Sequence, residues 1–213
     1  DIIEKYFVPL TRGNEGTAGL KDDGAVVDIP DGHELVVTSD TLNADTHFLS
    51  NEAPENIARK ALRVNLSDLA SMGARPLCYQ LNLAFPEKPS EDWLAAFSNA
   101  LQEDNEQYGI YCSGGDTTGI KGGYLSVSIT AMGLVARGKA VRRHGAKAGD
   151  LLVMTGEIGD AALGLKAIRA GREHDFPYAV SRYRVPQPRL SAIGAVQKYA
   201  NAAADVSDGL LAD

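Results

Sequence analysis

Several things are missing from this 213-residue chain, and each absence excludes a class. No run approaches the ~18 consecutive apolar residues that a membrane span requires. The N-terminal DIIEKYF has no basic stretch followed by an apolar block, so it does not read as a secretory signal. Cysteine is nearly absent: Cys78 and Cys112 are the only two, and their separation matches no zinc-binding spacing. Both fall in strand-like segments and read as buried, reduced thiols, as in a cytoplasmic protein. Positive charge is also in deficit. A net charge of −7 argues against a general nucleic-acid binder, which needs basic patches for phosphate backbones. There is no low-complexity tract, no long repeat and no GK[ST] Walker loop.

What is present alternates. Residues 34–39 (ELVVTS) read as a short buried strand. A helix is expected over 54–71, with Pro54 in its first turn, Ile57, Ala61, Leu62, Leu66 and Leu69 at helical spacing, and Gly73 at its end. Residues 77–85 (LCYQLNLAF) alternate as a strand. Ser90 then offers an N-cap, followed by Glu91 and Asp92 at the positive end of a helix dipole. Trp93, Leu94, Phe97 and Leu101 give that helix its apolar face, and Gly109 ends it. Strands are expected at 110–113 and over 124–135 (YLSVSITAMGLV). The pattern implies an α/β (α+β) chain, with a mixed N-terminal sheet carrying its helices on one face.

The turn-rich HGAKAGD (144–150) marks an expected boundary near residue 145. That gives an N-terminal unit of 1–144 and a second α/β unit beginning at 145. In the second unit, LLVMTG reads as a strand and EIGDAALGLKAIRAG as a helix. A polar, proline-bearing section (172–188) precedes another helix, and ADVSDGLLAD closes the sequence as a strand entering a helix. The first residue is not Met and the second unit is small, so the native protein is expected to extend at both ends.

A polar signature recurs where apolar elements turn polar: Asp22-Asp23, Ser39-Asp40-Thr41, Ser67-Asp68, Gly114-Gly115-Asp116-Thr117-Thr118 and Asp205-Val206-Ser207-Asp208-Gly209. One aspartate after a strand is ordinarily a cap or turn. Asp68 differs, because it interrupts an apolar helical face where an unpaired carboxylate is costly. Carboxylates with hydroxyl neighbours are hard oxygen donors that suit Mg²⁺ shared with phosphates. If these motifs converge, the site needs cations to exist at all. Arg142 and Arg143 read either as a solvated basic turn or as contacts for a nucleotide phosphate. The GEIGD turn reads mainly as a structural turn.

Taken in order, KDDGAVV, TSDTLNADTHF, ALRVNLSDLASMGARP, SGGDTT, GKAVRRHGAKAGD, TGEIGDAALGL and ADVSDGLLAD resemble the motifs of the thiamine-monophosphate kinase family. That family belongs to the superfamily of aminoimidazole ribonucleotide synthetase and selenophosphate synthetase. The resemblance implies transfer of the ATP γ-phosphate to thiamine monophosphate, several Mg²⁺ ions, and a homodimer whose N-terminal sheets pair into a barrel-like core. By motif, it implies metal ligation by Asp23, Thr38, Ser39, Asp40, Asp68, Asp116, Asp205 and Asp208. It implies ATP contacts at Tyr108, Gly115, Asp116, Arg143 and Ser207, and a substrate contact at His47. Lys21 stands where the family commonly has glycine.

The acceptor so implied is a phosphate monoester with a second pKa of ~6, already largely deprotonated at neutral pH. A site rich in Asp and poor in His fits that chemistry, since positioning and charge neutralisation matter more than a general base. Two other readings compete. One is a related ATP-dependent synthetase activating an amide or carbonyl oxygen. The other is a non-catalytic ligand binder, against which the clustered carboxylates argue.

Overall fold

A computed structural model describes residues 1–213. Four strands form one mixed sheet: β1 (His33–Asn43), β2 (Arg75–Phe85), β3 (Tyr111–Gly119) and β4 (Ser126–Ala136). The order is β1-β4-β2-β3. β4 is antiparallel to both β1 and β2, while β3 runs parallel to β2 and forms the far edge. A parallel neighbour requires a crossover. Helix α2 (Glu91–Tyr108) supplies it between β2 and β3, and α1 (Pro54–Ser71) links β1 to β2.

Both helices begin and end where local chemistry directs. Pro54 occupies the first turn of α1, where its missing N–H costs nothing. Ser90 caps α2 by accepting a hydrogen bond from the Trp93 N–H at 3.1 Å. Gly109 ends α2 in the left-handed conformation, at φ 67°. Leu62, Leu66 and Leu69 of α1 and Phe97 and Leu101 of α2 are fully buried against Leu83 of β2 and Val127 and Ile129 of β4. Each such side chain contributes about 2 kcal/mol of burial free energy. Both cysteines are free and buried, Cys78 in β2 and Cys112 in β3.

The other face of the sheet is open and carries a band of polar side chains beside exposed Val37. Ser39 and Thr130 hydrogen-bond across the β1–β4 pair at 3.0 Å, and Thr41 and Ser128 at 2.7 Å. Gln80 and Asn82 of β2 are exposed on the same side.

Beyond residue 144 the elements are helical: α3 (Asp160–Arg169), α4 (Pro177–Arg184) and α5 (Ile193–Tyr199). Two sequence expectations fail here. LLVMTG forms no strand; Leu151 and Leu152 are each 89% exposed, because no neighbouring strand takes up their backbone hydrogen bonds. The strand expected at the start of ADVSDGLLAD is also absent. The section 172–188 contains α4, which its polarity concealed. Upstream, β3 continues six residues past the expected 113, through the glycines. No helix is long and apolar enough to cross a membrane.

The helix pair α1–α2 is locked by charge as well as by leucines. Arg63 Nε and Nη2 donate to the two carboxylate oxygens of Asp104 at 2.7 and 2.6 Å, with the Asp104 side chain only 1% exposed. Removing one member of a buried pair strands the other charge. Asp104→Ala is therefore expected to lower unfolding free energy by about 3 kcal/mol in urea titrations.

Candidate active site

The sheet register decides which side of β1 each polar residue occupies. Thr38 and Asp40 alternate with exposed Val37, Ser39 and Thr41, and so lie on the helix-covered side. Helix α1 runs across that side and carries Ser67 and Asp68 near its C-terminal end. Thr38 Oγ1 donates to Asp68 Oδ2 at 2.6 Å, which ties strand to helix. Asp40 and Asp68 lie within hydrogen-bonding reach of each other.

The third carboxylate comes from the end of the chain. Residues 141–145 and 201–205 run together: Val141 N–H donates to the Met72 carbonyl at 3.0 Å, and Ala203 N–H to the Arg142 carbonyl at 3.1 Å. Gly145, at φ 132°, passes so close that a Cβ there would stand 2.4 Å from the Asn201 carbonyl oxygen. This pairing delivers Asp205 to α1, where the Ser67 hydroxyl donates to its Oδ1.

Asp40, Asp68 and Asp205 thus form one half-buried cluster. Burial is the leading cause that raises all three above the ordinary carboxylate range. Asp205 raises Asp40 further, Asp40 raises Asp68, and Asp68 raises Asp205. Hydroxyl donation from Thr38 and Ser67 opposes the rise at Asp68 and Asp205. Arg143 stands at the rim, exposed, and its charge favours ionisation of Asp68 and Asp213. No three acidic, His or Cys side chains converge into a closed ion cage. The donor set nevertheless fits Mg²⁺, which takes one or two carboxylates and completes its shell with waters and substrate phosphates.

His47 lies on the tight loop after β1, near Asp40. Its orientation is fixed from within the loop. The Asn43 N–H donates to His47 Nδ1 at 2.9 Å, and the His47 N–H donates back to the Asn43 carbonyl at 2.9 Å. An Nδ1 that accepts leaves Nε2 to carry the proton, so the exposed ring edge is a donor.

The remaining sequence candidates fall elsewhere. Ser39 points its hydroxyl at Thr130 on the open face, which leaves only its backbone oxygen for a role beside Asp40. Asp23 is exposed in the loop before β1, with no hydrogen bond or ion pair to the cluster. Ser207 and Asp208 are exposed, and their N–H groups, with that of Gly209, donate to the Asp213 carboxylate at 3.0 Å each. Tyr108, at the end of α2, lies under the Arg63 guanidinium at 5.4 Å and is partly buried.

Asp116 is in register with Asn82 on β2, which pairs with Ser128 on β4 and Thr41 on β1. At ~4.8 Å per strand, that places it roughly 14 Å from β1 across the sheet. Its neighbour Gly115, at φ 150°, has a structural reason of its own: a Cβ would stand 1.8 Å from the Leu81 carbonyl oxygen. Ser67 is a site residue that no motif assigned. Its signal was present, since Ser-Asp on an apolar helical face places two polar groups where neither packs.

The cluster's charge has a thermodynamic sign. Each carboxylate's folded pKa lies above its unfolded value, so the folded state holds more protons between the two. Stability therefore falls as pH rises through that window and stays reduced at neutral pH. Without divalent cations, Asp68→Asn is expected to stabilise the fold at neutral pH by at most about 1 kcal/mol and to flatten that acid-side slope. Thermal unfolding between pH 4 and 8 in chelator checks both.

Residues 21–135 match the family model described as AIR synthase related protein, N-terminal domain. The thiamine-monophosphate kinase of Caulobacter vibrioides is 44% identical over all of this chain, which spans 60% of that relative. The crystal structure of thiamine-monophosphate kinase from Stenotrophomonas maltophilia K279a superposes with a TM-score of 0.89 at 39% identity, covering 100% of this chain and 69% of that one. A structure of AaThiL complexed with AMPPCP and TMP aligns at 31% identity and TM-score 0.81, over 90% of this chain and 62% of its own. The cluster of Asp40, Asp68 and Asp205 thus sits on a fold and sequence shared across the chain's full length, and the chain belongs to the thiamine-monophosphate kinase family.

Proposed function

We propose that this chain carries the nucleotide- and metal-binding part of an enzyme that phosphorylates thiamine monophosphate to thiamine diphosphate with ATP. The reading rests above all on the half-buried Asp40–Asp68–Asp205 cluster beside the donor edge of His47. The AaThiL complex with AMPPCP and TMP supports it by family membership. Residues 1–144 form the ATP-binding and dimerisation unit in this reading, and 145–213 begin a second α/β unit.

The transfer is direct and in line. The attacking oxygen belongs to a phosphate monoester that is already deprotonated near neutral pH, so no side chain has to remove its proton. The obstacle is repulsion between two polyanions, and positioning is the main work. His47 Nε2–H donates to the acceptor phosphate and orients it. Arg143 and Ser207, at the rim, take the nucleotide phosphates. Asp40, Asp68 and Asp205 hold Mg²⁺, with Thr38, Ser39, Asp23 and Asp208 as further oxygen donors; magnesium, when bound, supplies the positive charge that lets donor and acceptor phosphates approach. Thr38 and Ser67 keep two of the carboxylates aimed while the ligands exchange.

The full-length protein, supplied with ATP, Mg²⁺ and thiamine monophosphate, is expected to form thiamine diphosphate. Asp40→Asn is expected to reduce kcat/KM by about a hundredfold or more without loss of fold. ATP consumption with no diphosphate product would instead favour a related synthetase with a different acceptor.

The position of Asp116 leads to the oligomer. Asp116 and the cluster lie at opposite edges of one sheet, and both β1 and β3 have an unpaired edge. A two-fold pairing of sheets into a barrel closes those edges and brings β3 of one copy to the site of the other. Asp116, Gly115 and Tyr108 then serve the nucleotide bound by the partner. Asp40→Asn and Asp116→Asn proteins, each inactive alone, are expected to regain about a quarter of wild-type activity when unfolded together and refolded as mixed dimers. No recovery would place both residues in one subunit's site.

A further inference from the structure

Lys60 lies in the middle of α1 and is only 8% exposed. Lysine is among the residues least often buried, and an ammonium out of water is costly unless something repays it. Nothing in the packing requires a charge here. The residue takes part in no ion pair; the nearby Glu52 carboxylate is engaged by Asn56 Nδ2 at 2.8 Å and Arg184 Nε at 3.2 Å. Burial depresses the Lys60 ammonium to about 8, with Glu52 opposing the fall. A Met or Leu of similar length would fill the space at lower cost.

Two contacts occupy the ammonium. Nζ donates to the backbone carbonyl of His47 at 2.9 Å, and it stands 3.8 Å from the ring centre of Tyr183 on α4. The first contact grips the loop after β1 at the residue whose ring edge is the free donor. The loop also carries bonds of its own, Asp45 N–H to the Phe48 carbonyl at 2.7 Å and Ser50 N–H to Asp45 Oδ1 at 3.0 Å, and Ala44 N–H donates to the Leu125 carbonyl at 2.9 Å. Asp45 sits there with φ 62°, a conformation that non-glycine residues adopt at a cost. The second contact joins the same ammonium to α4, which the Arg184–Glu52 pair also anchors beside the start of α1.

We propose that Lys60 is a positioning residue for His47: it holds the His47 carbonyl so that the ring keeps its Nε2–H directed at the acceptor phosphate, and it takes its own position from the Tyr183 ring. The role deepens the kinase reading and rests on it for the identity of the acceptor. It makes α4 part of the acceptor site through the Tyr183 ring. Lys60 does not meet the reacting atoms, so its loss acts on acceptor binding before it acts on turnover.

The test uses full-length protein carrying Lys60→Met, Lys60→Arg and Tyr183→Leu. Long-range ¹H–¹⁵N spectra of the His47 imidazole report its tautomer without any substrate. Wild type is expected to show a single Nε2–H form, and Lys60→Met a mixture. In the kinase assay, Lys60→Met is expected to raise KM for thiamine monophosphate by about tenfold with KM for ATP unchanged. Lys60→Arg restores most of that loss, because a guanidinium can still donate to the carbonyl and stack on the ring. Tyr183→Leu gives a smaller change in the same direction. An unchanged His47 spectrum in Lys60→Met, or equal shifts in both KM values, overturns the proposal. If Lys60→Met does not fold, the Tyr183→Leu spectrum decides: a His47 signal identical to wild type overturns the role. If wild type forms no thiamine diphosphate, the kinase reading falls, while the imidazole spectra still decide what Lys60 does to His47.

Discussion

Helix α1 must satisfy two demands that conflict. One side must be apolar to bury Leu62, Leu66 and Leu69 under the sheet, and the helix must also present Lys60, Arg63, Ser67 and Asp68 in directions fixed by its own 3.6-residue period. Because the leucines set its rotation and depth, they also set where every polar group arrives. Lys60 reaches the loop after β1, Arg63 reaches α2, and Ser67 and Asp68 reach the residues that close the site. A shift of the helix by even a fraction of a turn would separate Thr38 from Asp68 and Ser67 from Asp205 together. Packing and chemistry share one rigid element, and the price is a charge cluster that burial alone would never favour.

The elements that periodicity marks strongly were legible. The two long helices, their capping residues and three of the four strands could be read from apolar spacing and from Ser90, Gly109 and Pro54. The extent of β3 could not, because glycine and aspartate are poor strand formers. The strand continues through Gly114 and Gly115 because both pair with β2, and at Gly115 the approach to Leu81 leaves no room for a Cβ, a tertiary fact that local propensity cannot contain. LLVMTG shows the opposite case. Its residues favour a strand, but a strand exists only beside another, and none lies beside it.

The site was legible in its composition and not in its grouping. The aspartates could be picked out because each broke an apolar run. Which of them meet depends on register and on chain crossings. Asp40 and Asp68 meet because strand alternation and helix rotation agree, and Asp205 joins them because residues 201–205 run beside 141–145. Asp116 carries an equally clear signature and lies across the sheet. Lys60 left no signal, since a lysine at a helical position ordinarily reads as solvated surface.

The open face of the sheet has a consequence of its own. Beside Val37 and Met132 it carries a band of hydroxyls and amides, with Ser39 paired to Thr130 and Thr41 to Ser128 across the strands. A greasy face would accept any apolar partner in many alignments. A face of short directional donors rewards only those alignments in which each donor finds an acceptor, and a slip of one residue turns every side chain to the wrong side. Whatever covers this surface is therefore selected by alignment more than by contact area, and weakly matched copies find little there to hold them.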